Sequence, residues 1–388
     1  MTFPRVFLNE ELLREGMQIE SVDIPVESKI KLLDALSATG LAQIEVGSFV
    51  SPRYTPQMAE IDTLVSSFTP RQGVRYTALA LNQRGRDRVA AFTPPLSRSL
   101  LPPMTWAHLC DTFVRRNANM TQQDEIARWP HVVDAAVAAS STAGPGSSTT
   151  GNGPAACLGI GAAWGSNFEG PFTLEDRMAM LERQQEAWRG SGIPVTWVSL
   201  ADPMSWCMPH WVEEQLTVIA GRWPQIRNVH LHLHDARGMA LPSIYAALRA
   251  LDDSYTLHLD VVAGGIGGCP YCGNGRATGM AATEDVVHML DTMGIATGVD
   301  LDKLIDAVWL LEEIIGRSSP GHVSKAGPRP DRGSLYDPNL PLVETHEQAR
   351  HFKLGEEVLG DGLRPWREPI PAHDLLANRR PVNSRSAS

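Results

Sequence analysis

The chain has 388 residues, of which 43% are hydrophobic and 20% are charged, a balance typical of a globular protein with a large core. Its formal net charge of -10 disfavours a general nucleic-acid surface or an anionic membrane surface, because phosphates would be repelled. No apolar run approaches the roughly 18 residues that a membrane-spanning helix needs, which excludes an integral membrane protein.

Five cysteines are scattered along the sequence, at positions 110, 157, 207, 269 and 272. An odd number spread over a long chain is a poor disulfide framework, so a reducing compartment is expected. The first sixteen residues, MTFPRVFLNEELLREG, lack the apolar stretch of a signal peptide. We therefore expect a cytoplasmic protein.

Short β-rich apolar runs alternate with amphipathic segments, which is the pattern of parallel βαβ units. A helix is expected over 27–37. Strands are predicted near 6–12 and at 41–46, 74–81, 108–114, 156–163, 195–200, 229–233 and 256–262. Eight strands, with no glycine-rich phosphate turn after the first, favour a (β/α)8 TIM barrel over an open doubly wound sheet.

Two segments exceed a minimal barrel. Residues 140–154 are rich in Ser, Thr and Gly and are predicted to form a flexible insertion before the fifth strand. Residues 318–388 are rich in Pro and Arg and are predicted to be a partly disordered C-terminal extension. The sequence therefore predicts a catalytic barrel over 1–317 followed by a tail.

Three histidines alternate along the seventh predicted strand, His230, His232 and His234, and Asp235 follows them. Alternate residues of a strand share a face, so all three rings are expected to point into the barrel. His232 and His234 end the strand, where barrel enzymes place catalytic groups, and their spacing lets both rings reach one divalent cation. His230 lies one layer deeper and is expected to orient a neighbour.

Acidic and basic residues also follow the early strands. Arg14 and Glu15 close the first strand, where Arg14 could bind a carboxylate or carbonyl and Glu15 could supply an oxygen to a metal. A surface ion pair is the plainer interpretation of these two residues. Glu45, late in an apolar strand, must pair or function, and Arg14 is its natural partner. Asp202, with Ser199 before it, has the same end-of-strand placement.

A glycine-rich segment, 264–268, precedes Cys269 and Cys272. Such a loop is typical of a mobile lid that presents a reactive group, and Cys269 is the candidate thiol or general acid. The C-x-x-C spacing could instead be half of a zinc site or a redox pair. No second C-x-x-C exists in the sequence to complete a zinc site.

Longer motifs carry a resemblance to a known family. The sequence resembles the 3-hydroxy-3-methylglutaryl-CoA lyase family, a branch of the metal-dependent carbon–carbon lyase barrels, over roughly residues 8–325. The similar segments are 14–18 (REGMQ), 44–58 (IEVGSFVSPRYTPQM), 113–121 (FVRRNANMT), 165–173 (GSNFEGPFT), 232–235 (HLHD), 263–271 (AGGIGGCPY), 282–290 (ATEDVVHML) and 294–304 (GIATGVDLDKL).

The resemblance implies retro-Claisen cleavage of a 3-hydroxyacyl-CoA with release of acetyl-CoA, assisted by Mg²⁺ or Mn²⁺. It implies that His232 and His234 are metal ligands, that Arg14 stabilises the enolate oxygen and that Glu45 orients Arg14. Asp202, Ser199 and Gln18 would lie at the substrate, and Cys269 would be the lid thiol. A homodimer is expected on the same ground, with no nucleic-acid or membrane partner.

The sequence departs from the family at several of these positions. Glu15 stands where the family has an aspartate ligand, and Met280 stands where it has an asparagine ligand, with Asn274 as a possible substitute. Gly159 replaces a tyrosine on the fifth strand and is predicted to open space for a bulkier substrate. Pro203 replaces a threonine. These changes suggest fewer protein ligands, a softer metal such as Zn²⁺ or a different substrate.

Three functions remain open from the sequence. The first is an acyl-CoA lyase with a non-standard substrate, for which Arg53, Arg115 and Arg116 are candidate contacts to the CoA phosphates. The second is a related aldolase or Claisen-type synthase that does not use CoA in the same way. The third is a non-catalytic barrel that serves as a binding partner.

Overall fold

The structure, a computed structural model, describes residues 2–142, 154–272, 279–333 and 335. The chain divides into two compact units, Met1–Pro320 and Gly321–Ser388, and the first contains all the strands described below. Most of the predicted 140–154 insertion, Asn274 and most of the C-terminal extension lie outside the described residues. Within the described part, no helix is long and apolar enough to cross a membrane.

Eight parallel strands form one curled sheet, which confirms the (β/α)8 barrel. They are β1 (Arg5–Glu10), β2 (Gln43–Ser48), β3 (Arg75–Leu79), β4 (Met104–His108), β5 (Ala156–Gly161), β6 (Val195–Asp202), β7 (Asn228–Leu233) and β8 (Thr256–Val261). Their order in the sheet is β3-β2-β1-β8-β7-β6-β5-β4, so strands adjacent in sequence pair with each other, except β3 and β4 at the two ends of this order, and β1 pairs with β8. A short antiparallel hairpin, Gly165–Ser166 with Gly170–Pro171, follows β5.

Helices cover the outside of the strands in the alternating order that parallel pairing requires. They are α1 (Val26–Ser37), α2 (Ile61–Ser67), α3 (Gln83–Ala91), α4 (Asp111–Ala118), α5 (Gln122–Ala127), α6 (Trp129–Thr142), α7 (Leu174–Trp188), α8 (Pro209–Arg222), α9 (Ala240–Ala250), α10 (Thr283–Thr292), α11 (Leu301–Ile315) and, in the second unit, α12 (Val323–Ala326). Short helical turns follow β1, at Leu12–Gly16 and Met17–Ile19.

The fourth predicted strand, 108–114, is wrong. The strand ends at His108, and the following residues begin α4, where the Cys110 side chain caps the helix by accepting the Phe113 backbone N–H. Cys110, Phe113 and Val114 are buried and stand at i, i+3 and i+4, which is helical spacing. The true strand, Met104–His108, comes just before the segment that had been read as β.

Register places inward residues of neighbouring strands in rows across the barrel. The lower row runs from β4 to β7 through register pairs of Gly159 with Trp106 and with Ser199, and of Ser199 with His230. One layer higher, His108 pairs with Gly161, and Ala201 pairs with His232; we call His108, Gly161, Ala201 and His232 the upper row. In each row, small residues on β5 and β6 separate an aromatic ring on β4 from an imidazole on β7.

The sequence had suggested that Gly159 opens space for a bulkier substrate, and the structure contradicts this expectation. A Cβ built on Gly159 would lie 2.8 Å from Met104 Sδ and closer still to the Trp106 ring. The room that a tyrosine would occupy is filled by the indole of β4. This correction could not be read from β5 alone, because it depends on the residue in register on the next strand.

Gly159→Ala should therefore destabilise the barrel by about 1–3 kcal/mol, because the new methyl group overpacks the Trp106 ring. Urea unfolding measures the loss, and Trp106→Leu in the same chain should recover most of it. Gly221→Ala, near the end of α8 with nothing within 4 Å of its Cβ, is the matched control and should not destabilise. Equal effects of the two substitutions would contradict the packing argument.

Candidate active site

His232 and His234 lie at the carboxyl end of β7 with their Nε2 atoms 3.3 Å apart. Nδ1 of His232 is 2.8 Å from Asp260 Oδ2 on the neighbouring strand β8, where the two residues are in register. A carboxylate on Nδ1 fixes that nitrogen as the protonated one and leaves Nε2 with its lone pair. That lone pair faces the second imidazole.

Glu15 completes a set of three donors with these rings. One ligand atom from each of Glu15, His232 and His234 lies within 4.8 Å of the others, and Glu15 Oε1 is 3.6 Å from His234 Nε2. Nitrogens bound to a common divalent ion at about 2.0–2.1 Å stand about 2.8–3.0 Å apart in octahedral geometry and about 3.3–3.4 Å apart in tetrahedral geometry. The observed 3.3 Å fits the tetrahedral spacing. The three residues are therefore suited to hold a divalent cation.

Arg14 lies beside this donor set and is enclosed by three carboxylates. Its Nε is 2.7 Å from Glu45 Oε2, its Nη2 is 2.6 Å from Glu11 Oε2, and its Nη1 contacts Glu15. Although burial alone would lower it, these carboxylates raise the pKa of Arg14 well above its ordinary value, with Glu11 contributing most. The expected Arg14–Glu45 pair is present, within a larger cluster than the sequence indicated.

Asp260 links the two histidine layers. Its Oδ2 is 3.0 Å from His230 Nε2 as well as 2.8 Å from His232 Nδ1, and its Oδ1 accepts a hydrogen bond from Asn9 at 2.8 Å. Burial would raise the pKa of Asp260, yet the charges and hydrogen bonds of His230 and His232 hold it well below its usual range. His230 in turn contacts Ser199 Oγ at 2.7 Å. The predicted substrate residue Ser199 thus contacts His230 in the lower row.

Asp202 lies at the end of β6 in register with Leu233, one position beyond the Ala201–His232 pair. Its Oδ2 accepts the backbone N–H of Cys207 at 2.6 Å, and the side chain is fully buried. Burial raises the pKa of this carboxyl. In this structure Asp202 shapes the turn that follows β6.

The glycine-rich segment after β8 packs directly on the end of β1. Gly267 has a φ of +106°, and a Cβ there would lie 2.8 Å from the carbonyl oxygen of Glu15, so only glycine allows this approach. Gln18 Nε2 donates to the Gly268 carbonyl at 3.3 Å, and Gly265 accepts the backbone N–H of Met280 at 3.2 Å. The loop that carries Cys269 is therefore anchored beside Arg14 and Glu15.

Met280 forms an isolated bridge with His234 and is buried in the apolar core. Its backbone lies next to the donor set, whereas its thioether offers a poor ligand to a hard cation. Cys269 is half-buried and Cys272 is buried; both are free thiols, and Cys272 donates to the Pro203 carbonyl at 3.0 Å. These two cysteines do not form a disulfide.

The arginines proposed for CoA phosphates are partly engaged elsewhere. Arg116 Nε donates to the Tyr271 carbonyl at 2.8 Å, and Arg115 pairs with Asp111 at 2.7 Å. Arg53 is exposed. Arg116 therefore ties α4 to the cysteine loop.

Sequence reasoning missed Glu11, Asp260, and the buried pair His108–Glu125 at the end of β4. Glu11 directly follows β1, and Asp260 alternates with His258 along β8, so both carried an end-of-strand or inward signal. His108 was taken as the first residue of a strand over 108–114, whereas it is the last residue of β4. Register between distant strands, which makes Asp260 a partner of His232, cannot be read from a local pattern.

Two further carboxylates anchor the glycine-rich loop from below. Glu10 accepts the backbone N–H of Ala263 at 2.9 Å and the Thr283 hydroxyl at 2.6 Å. Glu284 Oε2 accepts the Gly264 N–H at 2.9 Å, while its Oε1 has no hydrogen bond in the described part of the chain. Burial raises the pKa of Glu284 to about 7. These carboxylates hold the loop's first residues in place.

A curled parallel sheet whose carboxyl ends gather two imidazoles, a carboxylate and a buried arginine defines a barrel enzyme with a candidate metal centre. The HMGL-like family matches residues 5–310, and the chain belongs to that family. Membership makes it a carbon–carbon lyase, as the sequence motifs had indicated.

The names of individual relatives refer to more than one substrate. The chain is 32% identical to hydroxymethylglutaryl-CoA lyase YngG of Bacillus subtilis, over 82% of this chain and 97% of that protein. It is 31% identical to (R)-citramalyl-CoA lyase of Chloroflexus aurantiacus, over 81% and 92%. A solved HMG-CoA lyase from Acinetobacter baumannii, in complex with coenzyme A and 3-methylmalate, matches with a TM-score of 0.66 and 25% identity, over 86% and 97%.

Glu284→Gln should stabilise the protein at pH 8 and have little effect near pH 4. An acid with a raised pKa binds more protons in the folded state than in the unfolded one, so the wild type loses stability as pH rises from about 4.5 to about 7. The amide keeps an acceptor for Gly264 without the buried charge. Thermal unfolding should show a gain in Tm of roughly 2–5 °C at pH 8. A gain of equal size at both pH values would point to packing instead.

Proposed function

We propose that the protein is a divalent-metal-dependent lyase that cleaves a 3-hydroxyacyl-CoA between C2 and C3 and releases acetyl-CoA. The observation that carries this proposal is the Glu15–His232–His234 donor set directly beside the enclosed Arg14. Relatives that share the fold are named as lyases of CoA thioesters, which supports the substrate class.

A cation bound by Glu15, His232 and His234 would polarise the C3 hydroxyl of the substrate. Asp260 keeps Nε2 of His232 unprotonated and aimed at the donor set. Two imidazoles favour a softer ion such as Mn²⁺ or Zn²⁺ over Mg²⁺. Met280 adds no oxygen donor to this set. The absence of that oxygen also favours Mn²⁺ or Zn²⁺ over Mg²⁺.

Arg14 is the proposed partner of the enolate oxygen that forms on the thioester. A guanidinium has five N–H donors, and the three contacts to Glu11, Glu15 and Glu45 leave about two of them for substrate. The carboxylates fix the guanidinium plane, so little reorganisation is needed when negative charge develops. Glu45 and Glu11 are the proposed positioning residues.

Cys269 is the proposed acid for the enolate carbon. Its loop is anchored on Glu15 and Gln18, and Cys269 is half-buried, which lets it reach substrate while limiting access of water. Its S–H bond breaks as a C–H bond forms at C2, and the thiolate regains a proton from solvent, which takes up the proton that the C3 hydroxyl loses as its C–O bond becomes a carbonyl. Asp202 is proposed to act indirectly, by holding the turn that follows β6. Gln18 is proposed to act by holding the glycine-rich loop through Gly268. A homodimer and a cytoplasmic location stay predictions.

Asp260→Asn should weaken Mn²⁺ binding by about 10–100-fold, because the variant loses the Asp260 carboxylate that fixes the His232 ring. His232→Ala should abolish it. Titration calorimetry on the full chain measures both. Asp252→Asn, at an exposed carboxylate in the loop that precedes β8, is the matched control. Unchanged Mn²⁺ affinity in His232→Ala would exclude this metal centre.

Acetyl-CoA release from 3-hydroxy-3-methylglutaryl-CoA, with Mn²⁺ or Mg²⁺ present, tests the reaction. Arg14→Lys should lower kcat by about 10²–10³-fold, because an ammonium cannot keep three carboxylates and the enolate oxygen bonded together. Its Mn²⁺ affinity should fall much less. If metal binds but no thioester releases acetyl-CoA, a related aldolase or synthase becomes the better assignment.

A further inference from the structure

A second histidine–carboxylate pair lies at the mouth of the barrel, away from the metal donors. His108 ends β4, and Glu125 lies on α5. Glu125 Oε2 accepts the His108 backbone N–H at 2.9 Å, and its Oε1 is 2.8 Å from Nδ1 of the ring. Both side chains are 9% exposed. A buried pair held by two contacts has a fixed orientation.

The contacts determine which ring nitrogen carries the proton. If Nδ1 were unprotonated, its lone pair would face a carboxylate oxygen at 2.8 Å, and two acceptors at that distance repel. The proton therefore lies on Nδ1 and is donated to Glu125. The Trp106 indole N–H also points at this atom, at 3.2 Å, and this longer contact is the weaker of the two. In the neutral ring, Nε2 is then the acceptor.

Nε2 of His108 lies over Gly161, since a Cβ on that glycine would come within 2.6 Å of it. Gly161 and Ala201 are the only members of the upper row between His108 and His232, and neither extends beyond a methyl group. With strands about 4.8 Å apart, β4 and β7 are about 14 Å apart along the curled sheet. In the upper row, Gly161 and Ala201 therefore separate His108 on β4 from His232 on β7.

This placement separates the binding of the substrate's oxygens from the recognition of its C3 substituent. The donor set and Arg14 belong to β1 and β7, so the substrate's hydroxyl and thioester oxygens are bound on that side. Whatever else is attached to C3 extends toward β4 and β5. Trp106 fills the lower row beneath it, which limits depth, and Nε2 of His108 offers one hydrogen-bond acceptor there. A carboxylate of the C3 substituent at this place would be repelled by Glu125, whereas a hydroxyl would donate a hydrogen bond to Nε2 of His108.

We propose that His108, positioned by Glu125, determines substrate specificity by accepting a hydrogen bond from a hydroxyl on the C3 substituent. The inference rests on the proposed lyase function and narrows its substrate class. The substrate is then a 3-hydroxyacyl-CoA with a compact, hydroxylated group at C3. A long or purely apolar substituent would leave the imidazole acceptor buried and unpaired.

Two thioesters that differ by one hydroxyl provide the test: 3-hydroxy-3-methylglutaryl-CoA and 3-hydroxy-3-(hydroxymethyl)glutaryl-CoA. The wild type should prefer the hydroxymethyl compound by about tenfold in kcat/KM, mostly through KM. In His108→Leu that ratio should fall to about one. Glu125→Gln, which keeps an acceptor for Nδ1 but loses the charge, should give an intermediate ratio. His131→Leu, an exposed histidine on α6, is the matched control and should keep the wild-type ratio.

The outcomes distinguish the inference from the function on which it rests. A wild-type ratio near one, or a ratio that His108→Leu leaves unchanged, overturns the role of His108 while the lyase assignment stands. If neither thioester is cleaved, the lyase assignment fails, and the ratio of the two dissociation constants by titration calorimetry tests His108 instead. Circular dichroism and Tm verify folding, and Glu125→Gln carries the test if His108→Leu is unfolded.

Discussion

The site depends on one buried charge cluster, a guanidinium enclosed by the carboxylates of Glu11, Glu15 and Glu45. Buried charges are tolerated only when they are paired and hydrogen-bonded, and a single arginine leaves this cluster with a formal excess of two negative charges. Burial and the neighbouring carboxylates accordingly raise the pKa of Glu11 well above its ordinary value. A divalent cation bound at the donor set would supply the missing positive charge, which would link metal binding to the stability of the cluster.

The barrel makes this cluster possible because parallel register brings residues from distant parts of the sequence into one layer. Asp260 meets His232 only because β8 and β7 are in register, and its hydrogen bond sets the tautomer on which ligation depends. The lower and upper rows, which run from β4 to β7, are likewise set by strand register. Glycines on β5 let the Trp106 and His108 rings of β4 lie over Gly159 and Gly161.

Much of this could be predicted from the sequence, and the two exceptions have different causes. Alternation along one strand was sufficient to place His232 and His234 together, and the end-of-strand position identified Arg14 and Glu15. The fourth strand was missed because helical spacing over a short apolar run looks like β when it is read alone. The role of Gly159 was misjudged for a different reason: whether a glycine leaves space depends on Trp106, which only register brings to it.

The departures from the family are connected through this cluster. Replacing aspartate by Glu15 lengthens the side chain, so that one carboxylate contacts Arg14 through Oε2 while Oε1 stays 3.6 Å from His234. Replacing asparagine by Met280 removes an oxygen donor beside His234, where the backbone bridge keeps residue 280 in place. Glu11 and Asp260 form a second possible donor set with His232. The candidate oxygen donors lie toward β1 and β8, on the side of Arg14, and β4 carries Trp106 and His108, where we propose that substrates are distinguished.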